Sequence, residues 1–298
     1  MDIFQGIDYN SHTWRKAMQE IASNVFIEHN SLGLVAGIIR TEKGTVLIDS
    51  PVRQDEAGSW RGATARMVTG QPKYMIVLDT NYDRLLSVKG SDCVVVAHSD
   101  SISPIRTRLG SRTLTEEATP TQENYEQSVT GNRVLPPELN FDSNLTLYVD
   151  GLSIELEHHP GSNFAGIWAA IPERKVIFVG DTVLVDQPPF LAYSNPEIWE
   201  EDLKLLSSKK YKDYQIISSR SGVVTKDQIK LMAKHVSFIR KTFEKLRESN
   251  APIEEWYKKI PAILERISEL DLFNNELFYN RLHWGITTYY EQNCRERG

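Results

Sequence analysis

The chain has 298 residues, 40% hydrophobic and 25% charged, with 34 Lys plus Arg against 40 Asp plus Glu and a formal net charge of -6. This composition excludes a disordered chain, a collagen-like chain and a coiled-coil rod, and it argues against nucleic acid or an anionic membrane surface as partner. Cys93 and Cys294 form no CxxC pair or disulfide framework, no apolar run is long enough to cross a membrane, and no basic-then-apolar signal opens the sequence. The expected location is the cytoplasm.

Residues 24–50 read as a β-hairpin turning at Glu42-Lys43-Gly44, its second strand TVLIDS ending at Asp49 before Pro51. A short outer helix is expected over 60–69. YMIVLD (74–79) and CVVVAH (93–98) are apolar runs suited to buried strands, with a helix predicted between them from Asp83 to about Val88. Residues 100–140 carry Arg106, Arg108 and Arg112 and end in the turn-like PPELNFDSN. Such a length implies its own structure or purpose. The alternation of Leu145, Leu147 and Val149, and then of Ile154, Leu156 and His158, predicts a hairpin turning at Asp150-Gly151. IWAAIP and KVIFVGD form two further strands, and QIIS (215–218) reads as the last.

Beyond Asn195 the pattern becomes helical. Asn195-Pro196-Glu197 is a helix start, with Asn as cap and Pro in the first turn. Thr225 and Gln228 are spaced as a capping box. Ile229, Met232, Val236, Ile239, Phe243 and Leu246 then fall on one helical stripe, which needs an apolar partner. A second helical stretch holds Trp256, Ile260, Ile263 and Ile267, and Pro261 either kinks it or begins a separate helix. Residues 272–290 are aromatic-rich and also read as helix. A homodimer contact is expected among these helices.

The order of strands and several segments resemble the metallo-β-lactamase fold superfamily over roughly residues 24–224. TEKGTVLIDSP (41–51) is similar to its early hairpin. YMIVLDTNYDRLL (74–86) lies where the family reads strand, Thr-His-x-His-x-Asp-His and helix. HHPGSN and the later VGDTV match the family's Pro-Gly-His-Thr and Gly-Asp stretches, and IISSRSG (216–222) its late Gly-His-Gly loop. The resemblance implies an α+β, αββα sandwich. It divides the chain into a metallo-β-lactamase-like domain over 1–224 and a helical extension packed on it over 225–298.

The resemblance also places the site. The family gathers five His and two Asp residues around one or two metals, usually zinc, whose charge lowers the pKa of a bound water to about 7. In this sequence the five His positions fall on Asp79, Asn81, Arg84, Ser162 and Arg220, whereas the two Asp positions are kept as Asp83 and Asp181. Arg stays protonated and offers only donors, so it is no zinc ligand, yet its fork pairs well with carboxylates. The expectation is that guanidinium charge replaces metal charge, with Arg84 or Arg220 paired to Asp83 or Asp181, Asp79 in the same network, and Asp49 orienting one of the arginines.

Two functional readings follow. In the first, zinc hydrolase activity is lost, no metal cofactor is held, and the scaffold serves as a ligand-binding, regulatory or assembly module. A small anion is its expected ligand, drawn by Arg220 in a nest-like Ser-Arg-Ser-Gly segment. In the second, Asp79, Asp83 and Asp181 hold a divalent metal such as Mg, Mn, Fe or Zn in a rebuilt hydrolase site. Ser162 lacks a Gly-x-Ser-x-Gly elbow, which argues against a serine hydrolase. His98 is expected to be a strand-end hydrogen-bonding residue.

Overall fold

The computed structural model describes residues 18–30, 33–51, 54–67, 72–81, 83–84, 93–102, 136–267 and 275–294. Among them, one sheet runs through β1 (Gln19–Ala22), β2 (Val25–His29), β3 (Val35–Arg40), β4 (Thr45–Ile48), β5 (Pro72–Ile76), β6 (Val94–His98) and β7 (Leu139–Phe141), in that spatial order. Strands β1–β4 pair antiparallel, and β4 through β7 pair parallel. The second sheet has β8 (Asn144–Val149) at one edge, followed by β9 (Leu152–His158), β10 (Ile167–Ile171), β11 (Val176–Phe178), β12 (Gln215–Ser218) and β13 (Gly222–Val224). Within it, β11 and β12 are the parallel pair.

Strand side chains alternate between two apolar environments, which is why these runs are continuously hydrophobic. Ile39, Ile48, Ile76 and Val96 face Leu156, Ile167, Phe178 and Ile217 in the core between the sheets. Their neighbours Ile38, Leu47, Met75 and Val95 point outward and are covered by Trp60 of α1 (Gln54–Met67). On the other side, Trp168, Ile177 and Ile216 are covered by α2 (Pro196–Leu206) and α3 (Lys226–Glu248). The result is an α+β sandwich of two mixed sheets flanked by helices.

Local signals account for the element boundaries. Asp150 (φ 47°) and Gly151 (φ 82°) are both left-handed, the two-residue turn that a twisted β8–β9 hairpin prefers. Asn195 Oδ1 accepts from the backbone N–H groups of Glu197 and Ile198, opening α2. Thr225 and Gln228 complete the capping box at α3. The stripe from Ile229 to Leu246 finds its apolar partner within the chain, on α2 and the second sheet. Pro261 stands in the first turn of a separate helix, α5 (Ile260–Leu264), distinct from α4 (Ile253–Tyr257). The last helix, α6 (Asn275–Asn293), packs on α4 and α5.

Several expectations change. The early hairpin is part of a four-stranded antiparallel run, and α1 starts earlier than residue 60. The turn-like PPELNFDSN contains strand β7, which pairs with β6 through Val96↔Leu139 and His98↔Phe141. QIIS is not the last strand, because β13 folds back on it through Ser218↔Gly222. Asp83 and Arg84 are helical. The remainder of the helix expected to Val88, together with Arg106, Arg108 and Arg112, lies outside the described residues.

Candidate functional site

Parallel pairing brings successive strand ends to one edge. Asp49 follows β4, Asp79 lies just beyond β5, Asp181 follows β11 through Gly180, and Arg220 follows β12. Both sheets therefore deliver charged residues to the same edge of the sandwich. Asp83 and Arg84 come from the helical turn after β5.

Arg84 is the centre of this cluster and is 0% exposed. Its Nε donates to Asp49 Oδ2 at 2.9 Å, its Nη1 to Asp79 Oδ2 at 2.5 Å, and its Nη2 to Asp181 Oδ1 at 2.7 Å. Asp49, with φ 52°, also accepts from the backbone N–H of Leu78 at 3.0 Å, which joins β4 to the end of β5. Arg220 closes the outer side: its Nη1 lies 2.5 Å from Asp83 Oδ2 and its Nε 3.4 Å from Asp181. Asn81 Nδ2 donates to Asp181 Oδ2 at 2.7 Å, and the Asn81 backbone N–H donates to Asp79 Oδ1 at 2.8 Å.

Two guanidiniums thus face four carboxylates in a nearly dry cleft. Burial pushes Asp79 up to about 7, helped by the neighbouring Asp181 and Asp49 charges against the pull of Arg84. Burial also raises Asp49. For Asp181, burial opposes ionisation, but Arg84 and Arg220 outweigh it and hold the carboxyl well below its usual range. Burial works against the charge on Arg84 too, and the Asp181, Asp79 and Asp49 carboxylates overcome it and keep the group protonated.

Ser162 is buried in the β9–β10 loop, and it is the next residue, Asn163, that joins this loop to the first motif: Thr80 Oγ1 donates to Asn163 Oδ1 at 3.0 Å. Gly161 is required here, because a Cβ would stand 2.5 Å from Trp199 Cα. Ser219, read in the sequence only as part of the nest-like segment, donates to Asp49 Oδ2 at 3.4 Å. Neither Asn163 nor Ser219 carries a sequence signal beyond adjacency to a motif position. The nest-like segment is a closed turn: the backbone N–H groups of Arg220 and Ser221 both donate to Ser218 Oγ, and that of Ser219 donates to Gly180 O. Those donors are therefore committed within the chain.

The fold implies zinc, and the donor set does not fit it. The cleft carries two guanidiniums, which cannot ligate zinc, and the carboxylates of Asp79, Asp83 and Asp181 are turned onto them. The alternative divalent-metal set of these three acids has its oxygens engaged by Arg84 and Arg220, and among the described residues the side chains close enough together to share a cation are His98, Asp100 and His158. Even this group is incomplete. His98 Nε2 engages Asp142 O at 2.6 Å and its Nδ1 accepts from the Asp100 backbone N–H at 3.2 Å. The His98 and His158 rings stack with centroids 3.7 Å apart, so their in-plane lone pairs run side by side instead of converging. His98 is a strand-end hydrogen-bonding residue, as expected.

Two mixed sheets with helices on both outer faces, and a polar cleft at the strand ends of both, define the metallo-β-lactamase fold. In this chain that fold carries a degenerate metal site. A metallo-β-lactamase from Pontibacter korlensis is similar at a TM-score of 0.55 and 16% identity, over 74% of this chain and 98% of that one. The stereoselective inverting sec-alkylsulfatase Pisa1 from Pseudomonas sp. is similar at a TM-score of 0.65 and 14% identity, over 95% of this chain. The chain spans 51% of the sulfatase. No family model matches the sequence, and no curated protein matches it.

Proposed function

We propose that the protein has given up metal-dependent hydrolysis and uses its metallo-β-lactamase fold as a binding, regulatory or assembly module. The observation that carries this reading is Arg84: a fully buried guanidinium is paired with Asp49, Asp79 and Asp181 at the strand-end edge of the sandwich. A cation fixed there supplies the counter-charge that a dication would bring, and it repels one. In this reading the protein works in the cytoplasm as a homodimer and takes a small anion as ligand, with Arg220 the nearest cation. No helix among the described residues is long and apolar enough to cross a membrane.

The test is hydrolysis by protein dialysed against zinc, manganese or magnesium, with β-lactams, thioesters, phosphodiesters and alkyl sulfates as substrates. Background rates in every combination are expected. Metal-dependent turnover that disappears in Asp83→Asn or Asp181→Asn returns the site to the hydrolases.

A further inference from the structure

A second site lies among the helices and is independent of the function proposed above. The first turn of α2, the C-terminal half of α3, α4 and the end of α6 line a partly open pocket of about 140 Å³. At roughly 30 Å³ of liquid volume per water, that is room for about four or five waters, or for a small amino acid. Three aromatic rings pack behind it, and of these Tyr289 is the one that is not buried. The Phe243 ring centroid lies 4.9 Å from those of both Trp256 and Tyr289, and Trp256 is fully buried.

The walls are charged, and the charges divide into two groups. Arg240 is committed: its Nε lies 2.9 Å from Glu200 and its Nη1 2.6 Å from Glu244. Glu197 and Arg247 are not. Both line the pocket, both are exposed, and neither side chain has an ion-pair or hydrogen-bond partner among the described residues. Two opposite charges therefore stand on the walls of one pocket without closing on each other. A ligand carrying a single charge would answer one of them and leave the other unmatched.

We propose that this pocket binds a small zwitterion of the free α-amino acid class, with its carboxylate on the Arg247 guanidinium, its ammonium on the Glu197 carboxylate and its aliphatic part against Tyr289. A guanidinium fork suits a carboxylate, and an ammonium gains further from a nearby aromatic face. The volume favours glycine, alanine, serine or proline over larger side chains.

Isothermal titration of the full chain tests this with those four amino acids and with propionate and ethylamine as single-charge analogues. At least one amino acid is expected to bind at millimolar concentration or better, with both analogues weaker by about tenfold or more. Arg247→Ala and Glu197→Gln should each weaken that binding by about tenfold. Both residues are exposed, so the variants should unfold at the wild-type temperature, which a thermal melt verifies. No heat from any of the four amino acids overturns the proposal. So does binding unchanged in both variants, or propionate binding as tightly as the amino acid.

Discussion

Arg84 places its whole guanidinium edge on carboxylates, and nothing around it is exposed enough for water to take their place. Removing it leaves Asp49 and Asp79 without their cation and Asp181 with only the longer contact to Arg220. Arg84→Ala should therefore cost about 3–5 kcal/mol in denaturant unfolding, and Arg84→Lys should not restore it, since one ammonium cannot span three partners. Arg84→Ala combined with Asp181→Asn should lose less than Arg84→Ala alone. Asp79 sets a pH signature. Its folded pKa is raised from 3.8 to about 7, so the native state holds a proton that the unfolded chain has released. That contribution to stability is complete below pH 3.8 and is lost as pH rises to about 7. Asp79→Asn should remove this loss, so the variant gains on wild type between pH 4 and 7 in urea melts at fixed ionic strength. Asp181 has the opposite sign: its depressed pKa contributes stability that disappears in acid, below the usual carboxylate range. Much of this residue-level picture is legible from the chemistry of Arg, which cannot ligate zinc and must find carboxylates. The bridging roles of Asn163 and Ser219 are not, because they depend on which loop atoms face the cleft.

At the scale of elements, α6 reaches the cleft through a loop. Arg281 on α6 donates to Gln187 Oε1 at 2.9 Å, its guanidinium lies 4.2 Å from the Phe190 ring centroid, and that ring in turn lies 5.2 Å from the Arg220 guanidinium. Phe190 is thus held between two arginines, with Arg220 left 9% exposed. Arg281→Ala should free Phe190 and raise the labelling of Arg220 by an arginine-specific dicarbonyl, read by peptide mass spectrometry; unchanged labelling would show that the ring does not cover it. A simpler device opens α3, where Thr225→Ala should cost about 1 kcal/mol in thermal unfolding through loss of the cap. Elements with strong local signals were readable in advance: the Asp150-Gly151 hairpin, the Asn195 cap and the Thr225 box. Strands β7 and β13 were not, since each spans three residues beside turn-forming residues and exists only through pairing with a distant or bent-back neighbour.

At the scale of the whole molecule, the helices after residue 225 share one apolar cluster with the second sheet. Ile229, Met232 and Trp256 pack with Trp168, Ile177 and Ile216. Burial of such side chains is worth about 1.5–3 kcal/mol each. Truncation after Val224 should therefore give an insoluble or non-cooperative product, and a soluble, cooperatively melting fragment would contradict that packing. The sulfatase alignment covers 95% of the chain and so must take in most of this helical region as well as the sandwich. The expected homodimer needs a surface other than the α3 stripe, which is used internally, and light scattering decides it. In the proposed function, the charge of two guanidiniums leaves no place for a metal. Elemental analysis of protein purified without chelator and then dialysed against excess zinc tests it most directly. Zinc far below one atom per chain is expected in wild type, with no further loss in Asp83→Asn or Asp181→Asn; one tightly held zinc per chain, lost in either variant, would return a metal to the cleft.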